Sequence, residues 1–96
     1  MTAFFIATSR IKNPQKFAEY GAAVGATIAA FEGQLVIRGM AVDVLAGTSD
    51  QQGVGVASFA DMETLKAWYA SPEYQALIPL RDEAAEITLV TYQVPE

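Results

Sequence analysis

The sequence predicts an α+β fold: a four-stranded antiparallel sheet with two helical segments packed on one face. Three observations lead there. Strand-like and helix-like segments follow one another in the order β-α-β-β-α-β. The helix-like segments carry apolar residues at steps of three and four, the spacing of a one-sided helix. The strand-like segments are apolar on both sides, although side chains along a strand point alternately to opposite faces. A sheet with one wet face should alternate. Residues 3–7 (Ala, Phe, Phe, Ile, Ala) do not, nor do residues 35–44 apart from Arg38, nor the first half of 87–94.

The elements follow in order. A first strand runs over residues 3–9, with 10–12 as its exit. Asn13-Pro14 starts a helix, because Asn can cap free N–H groups and Pro fits the first helical position. Phe17, Tyr20, Val24, Ile28 and Phe31 form its apolar stripe. Gly21 and Gly25 lie near that stripe and weaken the helix by about 1 kcal/mol each relative to Ala; close packing on the sheet would explain them. Glu32-Gly33 ends the helix, with Gly33 as the expected left-handed stop. A long second strand covers 35–45, where Gly39 suggests a bulge or a close approach. The polar stretch 47–53 is a loop. A third strand covers 54–59. Asp61 caps a second helix bearing Met62, Leu65 and Trp68, and Ser71-Pro72 repeats the cap-and-proline start for a piece with Tyr74, Leu77 and Ile78. Pro79 should break or kink that piece. A turn over 81–86 leads to the last strand, 87–94, which Pro95 stops.

This order is ferredoxin-like: both helical segments cover one face of the sheet and leave the other bare. The 96 residues are expected to form one domain, 1–96. Hydrophobic residues make up 52%, rich for a chain whose core is so thin. An apolar side chain gains about 1.5–3 kcal/mol on burial. A whole apolar sheet face in water is therefore a heavy penalty, and a homodimer packed sheet to sheet through the open face is the economical remedy.

Composition excludes several functions. The net charge is −5, and six Lys and Arg residues are too few to form a polyanion-binding surface, so no nucleic acid and no anionic membrane is expected as a partner. Without Cys there are no disulfides and no thiol chemistry; without His there is no Ser-His-Asp triad, no proximal-His haem and no His-based zinc site. No metal and no cofactor is expected. The N-terminal residues carry no charged leader or long apolar run, and no stretch reaches the ~18 apolar residues of a membrane span, so a cytoplasmic location is expected. RNA-recognition modules share this element order, and residues 52–59 have the skeleton of their third strand. Gln52, Val54 and Val56 stand where a basic residue and two stacking rings belong, which argues against RNA.

The run Trp68-Tyr69-Ala70-Ser71-Pro72-Glu73-Tyr74 followed by Pro79-Leu80-Arg81 is distinctive. It resembles the signature of the family known as domain of unknown function 1330. Asn13-Pro14 with Glu19-Tyr20, the stretch Gly33 to Gly39 with Arg38, and the third strand resemble other parts of that family, so the likeness covers nearly the whole chain. A typical Glu-Phe-Pro near the end of strand three is replaced by Ser58-Phe59-Ala60. The resemblance implies the dimeric α/β-barrel superfamily, in which two ferredoxin-like chains pack their sheets together. That superfamily includes cofactor-independent monooxygenases, isomerases, haem peroxidases and proteins without assigned activity.

Five residues are candidates for a ligand pocket between sheet and helices: Tyr20, Arg38, Trp68, Tyr74 and Arg81. Arg38 interrupts an apolar strand. It either pairs with a carboxylate, reaches solvent at a strand end, or anchors a ligand's carboxylate or enolate in bidentate fashion. Arg81 either completes a helix C-terminus and pairs with Asp82 or Glu86, or joins Arg38 in the pocket. Trp68 on its stripe suits a core, while Tyr74, Tyr69 and Tyr20 suit either core or cavity wall. Ser71 is a cap, since no His can activate it. Asp43 could act as a base if buried; Asp82, Glu83 and Glu86 read as a solvated face. Three functions are compatible with these residues. One is a protein that binds a small acidic or aromatic molecule. The second is a cofactor-independent monooxygenase or isomerase acting on an aromatic or enolisable acid. The third is a structural dimer without catalysis.

Overall fold

The computed structural model describes residues 1–95; Glu96, the last residue of the expected domain span, lies outside them. Among the described residues there are four strands and four helices: β1 (Ala3–Ile11), α1 (Pro14–Ala29), β2 (Gln34–Met40), β3 (Gly53–Phe59), α2 (Met62–Ala70), α3 (Pro72–Gln75), α4 (Ile78–Ala84) and β4 (Ala85–Gln93). The sheet order is β2-β3-β1-β4, every pair antiparallel. This is the ferredoxin-like α+β arrangement.

The caps are those the sequence indicates. The Asn13 side chain accepts from the Lys16 N–H (3.0 Å), Asp61 from the Thr64 N–H (2.8 Å) and Ser71 from the Tyr74 N–H (3.2 Å). Each satisfies a helix-end donor that would otherwise lack a partner. Ser71 Oγ also donates to the Trp68 carbonyl at 2.7 Å, which joins the end of α2 to the start of α3.

The structure differs from the sequence reading in several places. The first strand runs on to Ile11 rather than ending at residue 9. The second strand ends at Met40, not at residue 45. Ala41 still donates to the Gln52 carbonyl (2.7 Å), after which the two strands part and residues 41–52 are irregular. Asp43 therefore sits in an exposed loop. The bulge of β2 falls between Leu35 and Ile37, not at Gly39. The helix stop is Glu32, whose φ is 58°, rather than Gly33. Gly33 serves a steric purpose instead: a Cβ there would lie 2.7 Å from the Phe59 ring and 2.8 Å from Ile28. Finally, the helical piece breaks ahead of Pro79, as expected: α3 ends at Gln75 and α4 begins at Ile78 with Pro79 in its first turn, where the missing N–H is tolerated. The expected turn over 81–86 is instead helical through Ala84, and β4 starts directly at Ala85.

The helices cover the sheet face that carries Ala3, Phe5, Ala57 and Phe59. Trp68 is the keystone of this layer. It is 1% exposed, stacks on Phe5 with ring centroids 5.1 Å apart, and touches Phe59 at 5.6 Å and Tyr74 at 4.4 Å. Such ring pairs add about 0.5–1.5 kcal/mol each beyond area burial. The Trp68 indole N–H donates to Thr27 Oγ1 at 3.0 Å, and Thr27 donates to the Val24 carbonyl at 2.7 Å, so α2 is tied to α1. Lys16 and Glu83 pair at 3.0 Å between α1 and α4.

The opposite face is apolar and uncovered. Register places Phe4, Ile6, Val54, Val56, Val90 and Tyr92 on it, with Ile37 from β2. The slab is only 16 Å deep along its shortest axis, the depth of two layers. No helix among the described residues is long and apolar enough to cross a membrane.

Replacing Gly33 by Ala should destabilise the fold by about 1–3 kcal/mol through overpacking against Phe59 and Ile28. Glu32→Gly should stabilise it by about 1 kcal/mol by relieving the left-handed backbone. Urea titration of both variants checks the pair, and the opposite ranking would transfer the helix stop back to Gly33.

Candidate ligand-binding site

A cavity of about 330 Å³ lies between α1 and the helix face of the sheet. Glycines produce it. Gly53 and Gly55 stand on β3 at alternate positions, so both face the helices, and Gly21 and Gly25 face them from α1. A Cβ at Gly25 would meet nothing within 4 Å. Gly25 thus hollows the interface, contrary to the close packing expected, while Gly21 does stand in a close approach, since a Cβ there would lie 3.3 Å from the Arg38 guanidinium. The rest of the wall is apolar: Phe5, Ala7, Phe17, Val24, Ile28, Leu35, Met40, Ile87 and Leu89.

Polar side chains on the wall come from three residues, Ser9, Tyr20 and Arg38. Arg38 owes its position to the β2 bulge. Leu35 lies opposite Ala57 and Arg38 opposite Gly55, with one extra residue between them. Strand side chains alternate, so an unbulged β2 would turn Arg38 to the open face. The bulge turns it toward α1. Its stem crosses Gly55, whose Cβ would lie 4.0 Å from Arg38 Cγ, and its Nη1 would lie 3.3 Å from a Cβ on Gly21. The residue is exposed and has no hydrogen-bond or ion-pair partner among the described residues. A guanidinium stands free at the mouth of an apolar chamber.

Tyr20 is different. It is 8% exposed, and its hydroxyl lies 2.9 Å from the Tyr74 hydroxyl. Arg81 Nη1 donates to Tyr74 Oη at 3.1 Å and to Tyr69 Oη at 3.3 Å, and its Nε donates to Asp82 at 3.2 Å. The positive charge on Arg81 polarises Tyr74 toward donating to Tyr20. Burial and then the Tyr74 hydrogen bond hold the Tyr20 hydroxyl well above the usual phenol range. For Arg81, burial works against the charge, but the bonds to Tyr69 and Tyr74 outweigh it and raise its pKa.

Of the five candidate residues, then, Tyr20 and Arg38 are brought together on the cavity wall. Trp68 and Tyr74 are core, and Arg81 lies behind Tyr74 in the hydroxyl network. Trp68 also borders a second hollow of about 300 Å³ with Leu65, Tyr69, Leu89 and Thr91. No group of carboxylates among the described residues could hold a metal ion. Sequence reasoning missed Ser9 and the glycine pair on β3. The signal was present in Gly53-Val54-Gly55-Val56, which strips one face of a strand of side chains, opposite a helix that carries Gly21 and Gly25.

The fold and this site define a class: a ferredoxin-like chain with one apolar sheet face open and an apolar chamber under its first helix. The model of the family described as domain of unknown function (DUF1330) matches residues 2–94, and the chain belongs to that family. Solved structures share the fold. RPA0582, a protein of unknown function from Rhodopseudomonas palustris, is 17% identical over 99% of this chain and 83% of its own, with a TM-score of 0.80. A dimeric ferredoxin-like protein of unknown function from Jannaschia sp. CCS1 is 14% identical over 98% of this chain and 100% of its own, with a TM-score of 0.78. SnoaB, a cofactor-independent oxygenase from Streptomyces nogalater, is 14% identical over 99% of this chain and 94% of its own, with a TM-score of 0.74. No curated protein matches the sequence.

The buried Tyr20 hydroxyl makes alkaline stability a test of the network. Its folded pKa is raised, so its contribution is whole below the unfolded phenol value of about 10 and is lost as pH rises beyond it. Urea midpoints measured from about pH 9 to 11 should fall, and Tyr20→Phe should flatten that fall. An unchanged slope would place the titrating group elsewhere.

Proposed function

We propose that this protein is a homodimer that binds a small, mainly apolar acid in the chamber under α1, with Arg38 holding the acid group. The observation that carries the reading is the unpaired Arg38 guanidinium at the mouth of an apolar cavity of about 330 Å³. That volume is at the small end of ligand sites, which are mostly apolar with a few placed polar groups. A guanidinium fork suits a carboxylate because two parallel N–H donors meet two oxygens. Arg81 does not compete for the ligand, because it is not on the chamber wall and its Nη1 and Nε donate to Tyr69, Tyr74 and Asp82.

The dimer rests on the open sheet face. Ile37 is 61% exposed, Val90 43%, Tyr92 42% and Val54 40%. Phe4 and Tyr92 are stacked there with ring centroids 5.1 Å apart, and together they present a flat aromatic patch. A contiguous apolar patch of this kind marks an association surface, and a second copy brings the same patch in return. The dimeric relative from Jannaschia agrees with this reading.

The Arg81–Tyr74–Tyr20 chain favours a second reading, in which the acid is also a substrate. Arg38 would then stabilise an enolate and Tyr20 would supply a proton, in an isomerisation or a cofactor-free reaction with oxygen.

Three measurements test these statements. Benzoate should raise the melting temperature, since a ligand selective for the native state stabilises by about 2.7 kcal/mol at a hundred times its Kd. Arg38→Ala should abolish the rise while the protein still sediments as a dimer; a surviving rise would remove Arg38 as the anchor. Gly25→Leu should fill the chamber and block benzoate without lowering the unliganded melting temperature. Sedimentation at micromolar concentration should show a dimer, and Val56→Asp should shift it to monomer; a wild-type monomer would refute the assembly. Oxygen uptake with a hydroxy-aromatic acid would select the second reading over simple binding.

A further inference from the structure

Of the polar side chains on the chamber wall, Tyr20 is satisfied by Tyr74 and Arg38 is free at the mouth. The remaining one is Ser9. The residue is 4% exposed, and its hydroxyl, which has no hydrogen-bond partner among the described residues, keeps its remaining access on the chamber side. Its backbone carbonyl is used, accepting from the Gln52 N–H at 2.7 Å, so the orphan is the side chain alone. That hydroxyl can gain a partner only from what enters the chamber, water or a ligand.

The surroundings hold that hydroxyl in place and flank it with apolar surface. Ser9 lies opposite Gly53 on β3 and Ile87 on β4. A Cβ on Gly53 would sit 2.6 Å from Ser9 Oγ, 3.7 Å from the Met40 sulfur and 3.8 Å from the Phe17 ring. The glycine therefore leaves the space into which the hydroxyl points, and Met40 and Phe17 close it with apolar surface. Arg38 and Ser9 are held apart by the sheet. Arg38 faces Gly55, Gly55 faces Ala7, and Ser9 is two residues further along β1. At normal strand spacing their Cα atoms are about 12 Å apart. Both side chains reach inward from there, and between them the wall is apolar.

We propose that the chamber selects a two-ended ligand: an acid group on Arg38 and, across one apolar ring or short chain, a hydrogen-bonding group on Ser9 Oγ. This rests on the binding reading above and adds the ligand's second pole. A simple apolar acid fills the chamber but leaves Ser9 unpaired. A hydroxy, keto or amide acid of the right length pairs both ends, and the unmet hydroxyl becomes a source of discrimination.

The test compares benzoate with 4-hydroxybenzoate on the intact protein by titration calorimetry, for wild type and for Ser9→Ala. Wild type should prefer 4-hydroxybenzoate by about tenfold, the value of one good hydrogen bond. Ser9→Ala should reduce that preference to about twofold or less while leaving benzoate affinity within about twofold. Its unliganded melting temperature should not fall, because no bond within the protein is lost. Binding of both acids with equal affinity, unaffected by Ser9→Ala, overturns the second pole and leaves the Arg38 reading standing. Binding of neither acid overturns both. A lowered melting temperature for unliganded Ser9→Ala assigns the hydroxyl to the fold and also overturns the proposal.

Discussion

The distance between helix layer and sheet is set at one end of the molecule by aromatic rings. Trp68 lies on Phe5 and against Phe59 and Tyr74, and these bulky groups pack against one another under the helices. Interiors pack to the density of organic crystals, so rings of this size hold the two layers at a separation that small residues cannot bridge. Toward the other end of β1 and β3 the rings give way to Ala7, Gly53 and Gly55, under Gly21 and Gly25 of α1. The helix is rigid and cannot sag into the gap. The chamber is what remains when a layer propped by tryptophan passes over a surface of glycine. Its walls, its mouth and its polar groups all follow from that mismatch.

The two arginines show how context divides identical chemistry. Arg81 is part-buried and engaged through Nη1 and Nε, bound to two tyrosines and an aspartate, and it ties together α2, α3 and α4. Arg38 is held only by packing, its stem across Gly55 and its head beside Gly21. A charge network that satisfies itself contributes to the fold. A charge that the fold positions and then leaves unsatisfied is available to something else. The same contrast separates Tyr20, already bonded, from Ser9, which is not.

Much of the architecture was legible because it follows from local rules. Asn13-Pro14, Asp61 and Ser71-Pro72 specify helix starts by chemistry that acts within four residues, and the structure shows each cap bonded as expected. The stripe with Trp68 and the doubly apolar strands identified core and open face. What escaped depends on partners distant in sequence. The bulge at Val36 is invisible in β2 alone, because register is decided by β3 across the ladder, yet one inserted residue decides which side of the sheet Arg38 serves. The strand ends at Met40 rather than residue 45 because β3 offers no partner beyond Gly53; the apolar run of Val42, Val44 and Leu45 satisfies strand propensity but not pairing. Close packing is the right inference for Gly21, which faces the Arg38 side chain, and the wrong one for Gly25, which faces open space.

The chamber wall also has an acid–base consequence. Among the described residues it carries no carboxylate, imidazole or thiol, and burial raises the pKa of its phenol above the usual range. Were an acid to bind there, as proposed, the dependence of its affinity on acidity near neutrality would be set by the ionisation of the guest.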